Sequence, residues 1–232
     1  MSNSHFERSG RVDEAGRGAM LNRIRLALNR QAGEPAPAPP AVDAALLRVD
    51  RPEGNAEPVE RFARAAADAG MEVVNTSEAR LTAAIVIQLH AWGVERLVLP
   101  DGERWRSLGA SLTAEGFTIL PWRAGGATSE AAFFDADAGI TGTIAAIAET
   151  GTLVLEAAPD QPRSLSLVPP AHLAIVHAGD IAADMSTLFG METASPPSER
   201  ILITGPSKTA DIEGVLIKGV HGPGRVCCMI VR

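Results

Sequence analysis

The sequence of 232 residues predicts an α/β fold with an open, mostly parallel sheet and flanking helices. Three observations support this fold class. From Pro58 onward, short apolar runs alternate with stretches of helical periodicity, the order that builds βαβ units. Glycine or proline separates these segments. Apolar residues make up 46% and charged residues 21% of the chain, proportions typical of a globular protein with a substantial core.

Residues 1–40 are predicted to stand apart as an amphipathic helix followed by a proline-rich connector. Apolar residues recur at helical spacing from Met20 to Leu28, and arginines lie between them. Prolines at 35, 37, 39 and 40 exclude a helix or a central strand and favour a stiff, extended segment. The arginine-bearing face is interpreted as solvated, with a partner surface as the alternative. The α/β domain itself is predicted to span residues 41–232.

The first half of this domain is predicted to alternate helix and strand. Its elements are a helix from Pro58 to Gly70, the strand MEVVN, a helix from Ser77 to Gly93, the strand RLVLP, the helix WRSLGASLTAEG, the strand FTILPW and a short helix through Phe134. A glycine follows several of these helices, as expected at a helix C-terminus. No G-x-G-x-x-G follows the first strand, so a dinucleotide-binding Rossmann domain is not supported.

The second half consists of strand-like runs separated by glycine- and proline-rich loops. The runs are TIAAIA, TLVLEA, LAIVH, ILIT and RVCCMIV. The two cysteines, Cys227 and Cys228, are neighbours and should point to opposite faces of a strand, which makes a disulfide between them geometrically poor. Two cysteines cannot supply four thiolates to an iron–sulfur cluster, so no such cluster is expected on this chain. The histidine and carboxylate spacings match no metal-site motif, and no metal site is predicted.

Charge and hydropathy narrow the choice of partners and compartment. The formal net charge is −7, from 28 acidic and 21 basic side chains, which argues against binding a nucleic-acid backbone. No apolar run approaches the roughly 20 residues that a membrane span requires. The first twenty residues lack the order of a signal peptide. A cytoplasmic protein is therefore expected.

The segment from Ile201 to Gly214 is the first candidate site. An apolar strand enters the turn formed by Gly205 and Ser207, and Lys208 and Thr209 follow before a helix predicted to begin at Ala210. Backbone N–H groups, the positive end of that helix and the polar side chains of this segment would together cradle an anion. The spacing does not match a Walker A loop. The alternative is an ordinary capped turn in which Lys208 pairs with an acidic residue of the helix.

His221 is the second candidate, in the glycine-rich segment GVHGPG. Flanking glycines leave its imidazole open, and histidine suits proton transfer near neutral pH. Gly222 is assigned to the same anion-binding set. Asp211, ten residues earlier, is a candidate catalytic carboxylate that one helix and a turn could bring close. The alternative for His221 is a structural hydrogen bond in a turn.

Glu149 is the third candidate, between the runs TIAAIA and TLVLEA. A carboxylate at such a position is costly to bury without a partner. It is therefore interpreted as a general base, a nucleophile or a partner of Lys208, with a plain hairpin turn as the alternative. His172, after two prolines, is interpreted as a residue that fixes the loop entering the strand LAIVH.

Four segments, AETGTLVL, PPAHLAIVH, GPSKTADIEG and GVHGP, occur in this order in the C-terminal half. Together they resemble the lactate utilization protein C family, which is built on the LUD domain. The leader MLNRIRLALNR is similar to the N-terminal helix of that family.

This resemblance implies an open α/β fold of the group that contains sugar-phosphate isomerases and CoA transferases. It also implies a role in bacterial oxidation of L-lactate to pyruvate, alongside separate iron–sulfur subunits. The residue pattern of the segment from Ile201 to Gly214 adds the expectation that this chain binds an anionic small molecule. One alternative is a stand-alone enzyme acting on a phosphorylated or CoA-linked metabolite, with Glu149 placed like the glutamate of some CoA transferases. Another is a regulatory module that binds a metabolite. The resemblance implies no catalytic residues, so the candidate sites rest on the residue patterns alone.

Overall fold

A computed structural model describes residues 14–31, 33–35, 57–122, 129–190, 197–210 and 216–232. The chain divides into two units, Met1–Asp50 and Arg51–Arg232. In the first unit, helix α1 spans Glu14–Ala27 and buries none of its residues. The structure is helical over most of the predicted periodic stretch from Met20 to Leu28, ending at Ala27, while the predicted domain boundary at residue 40 stays a prediction. Residues 36–40 of the predicted connector lie outside the described residues.

The second unit alternates helices and strands, as the periodicity predicts. Its first elements are α2 (Pro58–Asp68), β1 (Glu72–Thr76), α3 (Leu81–Trp92), β2 (Arg96–Val98), α4 (Glu103–Ala114), β3 (Thr118–Ile119), α5 (Ser129–Asp135) and β4 (Ala138–Gly142). The next are β5 (Ala145–Ile147), β6 (Thr152–Glu156), α6 (Ser164–Leu167), β7 (Ala171–His177), β8 (Ile181–Ala182) and α7 (Met185–Gly190). The last are β9 (Arg200–Ile203), β10 (Lys208–Ala210), β11 (Leu216–Lys218) and β12 (Arg225–Val231).

Six strands form an open and entirely parallel sheet in the order β1-β12-β7-β4-β2-β3. The C-terminal strand β12 therefore lies inside the sheet, between the first strand and β7. This arrangement confirms the predicted fold class. Among the described residues, no helix is both long and apolar enough to cross a membrane.

Helices α3 and α4 pack on one face of the parallel sheet. The side chains of this cluster that are completely inaccessible to solvent are Ile85, Leu89, Leu97, Leu112, Ala138, Ile140, Leu173, Cys227 and Met229. Most of them are aliphatic and recur with helical or strand periodicity, which explains why sequence patterns locate these elements.

A second, four-stranded sheet and helix α2 cover the opposite face. The second sheet has the order β8-β5-β6-β9, with β6 antiparallel to both neighbours. Cys228 belongs to this second core cluster and Cys227 to the first, so the two thiols point to opposite faces as predicted. Both cysteines are free and buried. Burial raises the pKa of both thiols, that of Cys228 to about 12.

The sequence predicts a helix beginning at Ala210, but Lys208–Ala210 is strand β10 and pairs antiparallel with β11. The predicted start of this helix is therefore wrong, because strand pairing overrides the local preference at this position. The rest of the predicted helix, residues 211–214, lies outside the described residues. The pair β10–β11 lies between β9 and β12 in chain order.

Candidate functional site

Two glycine-containing loops meet near the amino ends of β7 and β12: loop A, residues 204–207, and loop B, residues 219–224. The hairpin β10–β11 joins them, so the chain leaves loop A and returns to loop B. Ser207 N donates to the carbonyl of Pro223 at 2.8 Å, and Gly219 N donates to the carbonyl of Ser207 at 2.9 Å. Gly224 N donates to the carbonyl of Pro170, directly before β7. These hydrogen bonds and the pairing of β10 with β11 bring the two sequence motifs together.

A cavity of about 190 Å³ is lined by both loops and by residues of α6, β7, β9 and β12. Its lining side chains that carry polar groups are Ser166, His172, Thr204, Ser207 and His221. No aspartate, glutamate, lysine or arginine lines it among the residues that the structure describes. The cavity is thus an apolar pocket with hydroxyl and imidazole groups and no fixed negative charge.

His172 is the most deeply buried polar residue of this cavity, with no solvent-accessible surface. Its Nε2 lies 2.8 Å from the hydroxyl of Thr141. Its Nδ1 has no hydrogen-bond partner among the described residues. Burial lowers the pKa of His172 to about 4. The imidazole is therefore neutral at pH 7, with Nε2 hydrogen-bonded to Thr141 and Nδ1 without a partner among the described residues.

The position of His172 follows from the packing of β7. The residue pairs with Val226 of β12 on one side and with Gly139 of β4 on the other. A Cβ at Gly139 would lie within 3.0 Å of the carbonyl oxygen of Leu165. Glycine at this position lets α6 approach the sheet closely, and α6 contributes two lining residues to the cavity.

Four of the eight predicted site residues line this cavity, namely Gly205, Ser207, His221 and Gly222. Gly222 also lies against Ser207, since a Cβ built on it would be 3.5 Å from Ser207 Cβ. The two loops predicted from separate motifs therefore share one cavity.

Three other predicted residues, Glu149, Lys208 and Thr209, do not line the cavity. Asp211 lies outside the described residues. Of the candidates Glu149, Lys208 and His221, taken from three separate segments, only His221 reaches the cavity.

Lys208 contacts the end of helix α2 instead. Its Nζ donates to the carbonyl oxygen of Ala69 at 2.7 Å, directly after the last residue of α2. Carbonyls at a helix C-terminus lack helical partners and attract cations. Gly205 packs at the same place, because a Cβ there would lie within 3.0 Å of the Ala69 carbonyl oxygen. The close packing of α2 thus explains both the lysine and the glycine of the segment GPSK.

Glu149 lies in the turn that joins the antiparallel strands β5 and β6. It is half-buried, and its backbone N–H donates to Ala183. In the same turn, the hydroxyl of Thr152 lies 2.6 Å from that of Thr150 and 2.8 Å from that of Thr204. This chain of hydroxyls connects the turn to a residue that lines the cavity. A chemical role for Glu149 stays a prediction.

Sequence reasoning missed His172 as a site residue. It occupies a buried strand and not the loop before it. The available signal was a histidine inside an apolar run, since a polar side chain in a fully buried strand needs a partner. No group of three or more metal-ligating side chains occurs in the described ranges.

Comparisons with known proteins agree with this fold. The family model of the LUD domain matches residues 59–231. The chain is 32% identical over 188 residues to lactate utilization protein C of Deinococcus radiodurans, which covers 79% of this chain and 84% of that protein. It is 31% identical over 173 residues to lactate utilization protein C of Geobacillus kaustophilus, with coverages of 69% and 72%.

Two further similarities concern proteins whose names state no activity. An uncharacterized protein of Neisseria meningitidis is 42% identical over 94 residues, which are 39% of this chain and 40% of that protein. The crystal structure of a DUF162 family protein from Deinococcus radiodurans, at 1.70 Å resolution, superposes with a TM-score of 0.52 at 27% identity. The match covers 78% of this chain and all of that chain.

Proposed function

Because the chain belongs to the LUD domain family, we propose that it acts in lactate utilization and binds a small anionic molecule in the cavity between loops A and B. Support for the pathway comes from relatives named lactate utilization protein C that cover more than two thirds of the chain. The observation that carries the binding role is the convergence of Ser207, His221 and Gly222 on one cavity without acidic side chains.

The chemistry of the lining favours an anion. Ser207 and His221 offer donor groups, and the backbone N–H of Gly222 donates no hydrogen bond to the residues that the structure describes. With no carboxylate in the described lining, a bound carboxylate would meet donors and no repulsive charge. Donors directed at one anion form the kind of site that backbone and hydroxyl groups build at loops.

The size of the cavity limits the ligand. Its volume of about 190 Å³ lies below the roughly 300–1,000 Å³ of pockets for drug-sized ligands. Aliphatic side chains of β9 and β12, namely Ile201, Ile203 and Val226, contribute an apolar wall. A short carboxylic acid with a small alkyl group, such as lactate or pyruvate, suits this combination.

Oxidation of lactate requires an electron acceptor. In line with the resemblance to the lactate utilization protein C family, we propose that separate iron–sulfur subunits carry the electrons while this chain binds the substrate or product. Purification from lactate-grown cells without oxygen should recover those subunits with it.

Binding experiments on the purified full-length chain test the proposal. We expect calorimetry to detect binding of L-lactate or pyruvate, and His221→Ala to weaken it. The matched control is His177→Ala, at the opposite end of β7 and outside the cavity. If both variants bound L-lactate and pyruvate with the affinity of the wild type, His221 of loop B would not belong to the binding site.

Growth experiments test the pathway. Cells without the gene should fail to grow on L-lactate as sole carbon source and should recover when the gene is restored. Normal growth of the deletion strain would contradict the assignment. Turnover of an acyl-CoA by the purified chain, with a covalent acyl adduct on Glu149, would instead support the stand-alone enzyme.

A further inference from the structure

We infer that His172 contacts the bound ligand directly, with Nδ1–H donating a hydrogen bond to a ligand oxygen while Nε2 accepts one from the hydroxyl of Thr141. The inference rests on the proposed role of the cavity as a ligand site. It adds a residue that the sequence patterns do not assign to that site.

The first step of the argument is the burial of Nδ1. His172 is fully buried, lines the cavity, and leaves Nδ1 without a partner among the described residues. A buried polar atom without a hydrogen bond costs free energy, so such atoms in native proteins are paired by a ligand or by ordered water. Since Nε2 already lies at 2.8 Å from Thr141 Oγ1, any further partner must reach Nδ1.

The second step concerns the charge of the ring. Burial lowers the pKa of His172, and no acidic side chain among the described lining residues could pair with an imidazolium. A neutral imidazole carries one proton, on Nδ1 or on Nε2. The ring is therefore a donor at one nitrogen and an acceptor at the other.

The third step assigns the proton. The hydroxyl of Thr141 can donate to Nε2 or accept from it. When Thr141 donates, the ring proton is on Nδ1, and His172 has an N–H without a protein partner among the described residues that a ligand oxygen can accept from. An anionic ligand favours this tautomer, because its oxygens only accept hydrogen bonds.

The arrangement limits the chemistry of the ligand. Ser207 and His221 contribute donors from the two loops, and His172 would add a neutral donor from the sheet. A ligand with a carboxylate or carbonyl oxygen directed at β7 satisfies this geometry. A ligand that presents only donor groups, such as a primary ammonium, would leave Nδ1–H unpaired.

Two substitutions separate the roles of the two ring nitrogens. In His172→Asn the side-chain amide takes a position like that of Nδ1, whereas in His172→Gln it extends toward the position of Nε2 and Thr141. With pyruvate as the probe, we expect His172→Gln to bind at least about ten-fold more weakly, the effect of one lost hydrogen bond. We expect His172→Asn to lose less affinity than His172→Gln.

NMR of the imidazole nitrogens in the wild-type protein reports the tautomer of His172, which a purely structural role would not change on ligand binding. This measurement tests the inference even if neither variant folds. We expect long-range proton–nitrogen correlations to show the Nδ1–H tautomer of His172 with pyruvate bound, and a shift of Nδ1 on binding. An Nε2–H tautomer in the complex would overturn the inference. So would an unchanged Nδ1 signal at saturating pyruvate, since a buried water would then be the partner.

The outcomes distinguish this inference from the proposed function. If the wild type binds neither pyruvate nor L-lactate, the proposed function fails and the inference fails with it. If the wild type binds pyruvate and His172→Gln binds it equally well, only the inference fails. Weaker binding by His172→Gln together with the Nδ1–H tautomer supports both.

Discussion

Mild acid should destabilise this protein through His172 in particular. Burial lowers the pKa of this side chain from 6.5 in the unfolded chain to about 4 in the native state. Below pH 6.5 the unfolded chain therefore binds a proton that the native protein does not bind. The contribution of His172 to stability is complete above pH 6.5 and declines as the pH falls from 6.5 toward 4.

The size of the effect follows from the two pKa values. Each pH unit between them changes the free energy of unfolding by about 1.4 kcal/mol. The expected loss is about 2 kcal/mol between pH 8 and pH 5, and it approaches about 3 kcal/mol near pH 4.

Between pH 8 and pH 5 the effect of His172 on stability can be measured apart from that of the carboxylate Asp137. Burial raises the pKa of Asp137, but hydrogen bonds from Arg96 and from neighbouring backbone groups outweigh it, and the net pKa is lowered. The stability that Asp137 contributes is therefore present above its ordinary value of 3.8 and is lost only in stronger acid.

Urea denaturation at pH 8, 7, 6 and 5 measures this dependence. The wild type should lose about 2 kcal/mol over this range, and His172→Gln should have a nearly flat profile. The matched control is His90→Gln, the same replacement at an exposed side chain outside the cavity. Parallel profiles for the wild type and His172→Gln would refute the assignment of a low pKa to this residue.

Three further predictions follow from packing. Gly151→Ala should cost about 2–4 kcal/mol, because this glycine has a φ of 65° and a Cβ would lie within 3.0 Å of the α2 backbone. The control Gly116→Ala also has a positive φ but faces open space, so a similar loss in both variants would exclude the clash with α2. Lys208→Met should lower the free energy of unfolding, measured by urea denaturation, by about 0.3–1 kcal/mol and leave the affinity for pyruvate unchanged. Weaker pyruvate binding by this variant would show that Lys208 takes part in anion binding. Both cysteines should react with a thiol reagent at pH 8 only as fast as the protein unfolds, and immediate labelling would contradict their burial.

The order and type of most elements could be predicted because they depend on local periodicity. The stripe containing Phe62 and Ala66 marks α2, and both residues are completely buried in the core. Adjacent cysteines on opposite faces of β12 follow from the two-residue repeat of a strand.

The hairpin after loop A could not be predicted in the same way. The segment beginning at Ala210 has residues compatible with a short helix, and nothing within it shows that Lys208–Ala210 pairs with Leu216–Lys218. Pairing between strands is a tertiary property that overrides local preference.

The site was predicted only in part for a related reason. Gly205 and Lys208 form a pattern that suits an anion cradle, yet they contact Ala69, which lies far away along the chain. Conversely, His172 belongs to no sequence motif, and it becomes a candidate ligand contact only because it is buried and its Nδ1 is unpaired. Both facts depend on which segments pack together, which a single sequence does not specify.

A crystal structure of the full chain grown with pyruvate tests the central claim most directly. We expect pyruvate inside the cavity between loops A and B, with one oxygen within hydrogen-bonding distance of His172 Nδ1 and another near Ser207 or His221. Pyruvate bound only at other surfaces, or only water in this cavity at saturating pyruvate, would contradict the account.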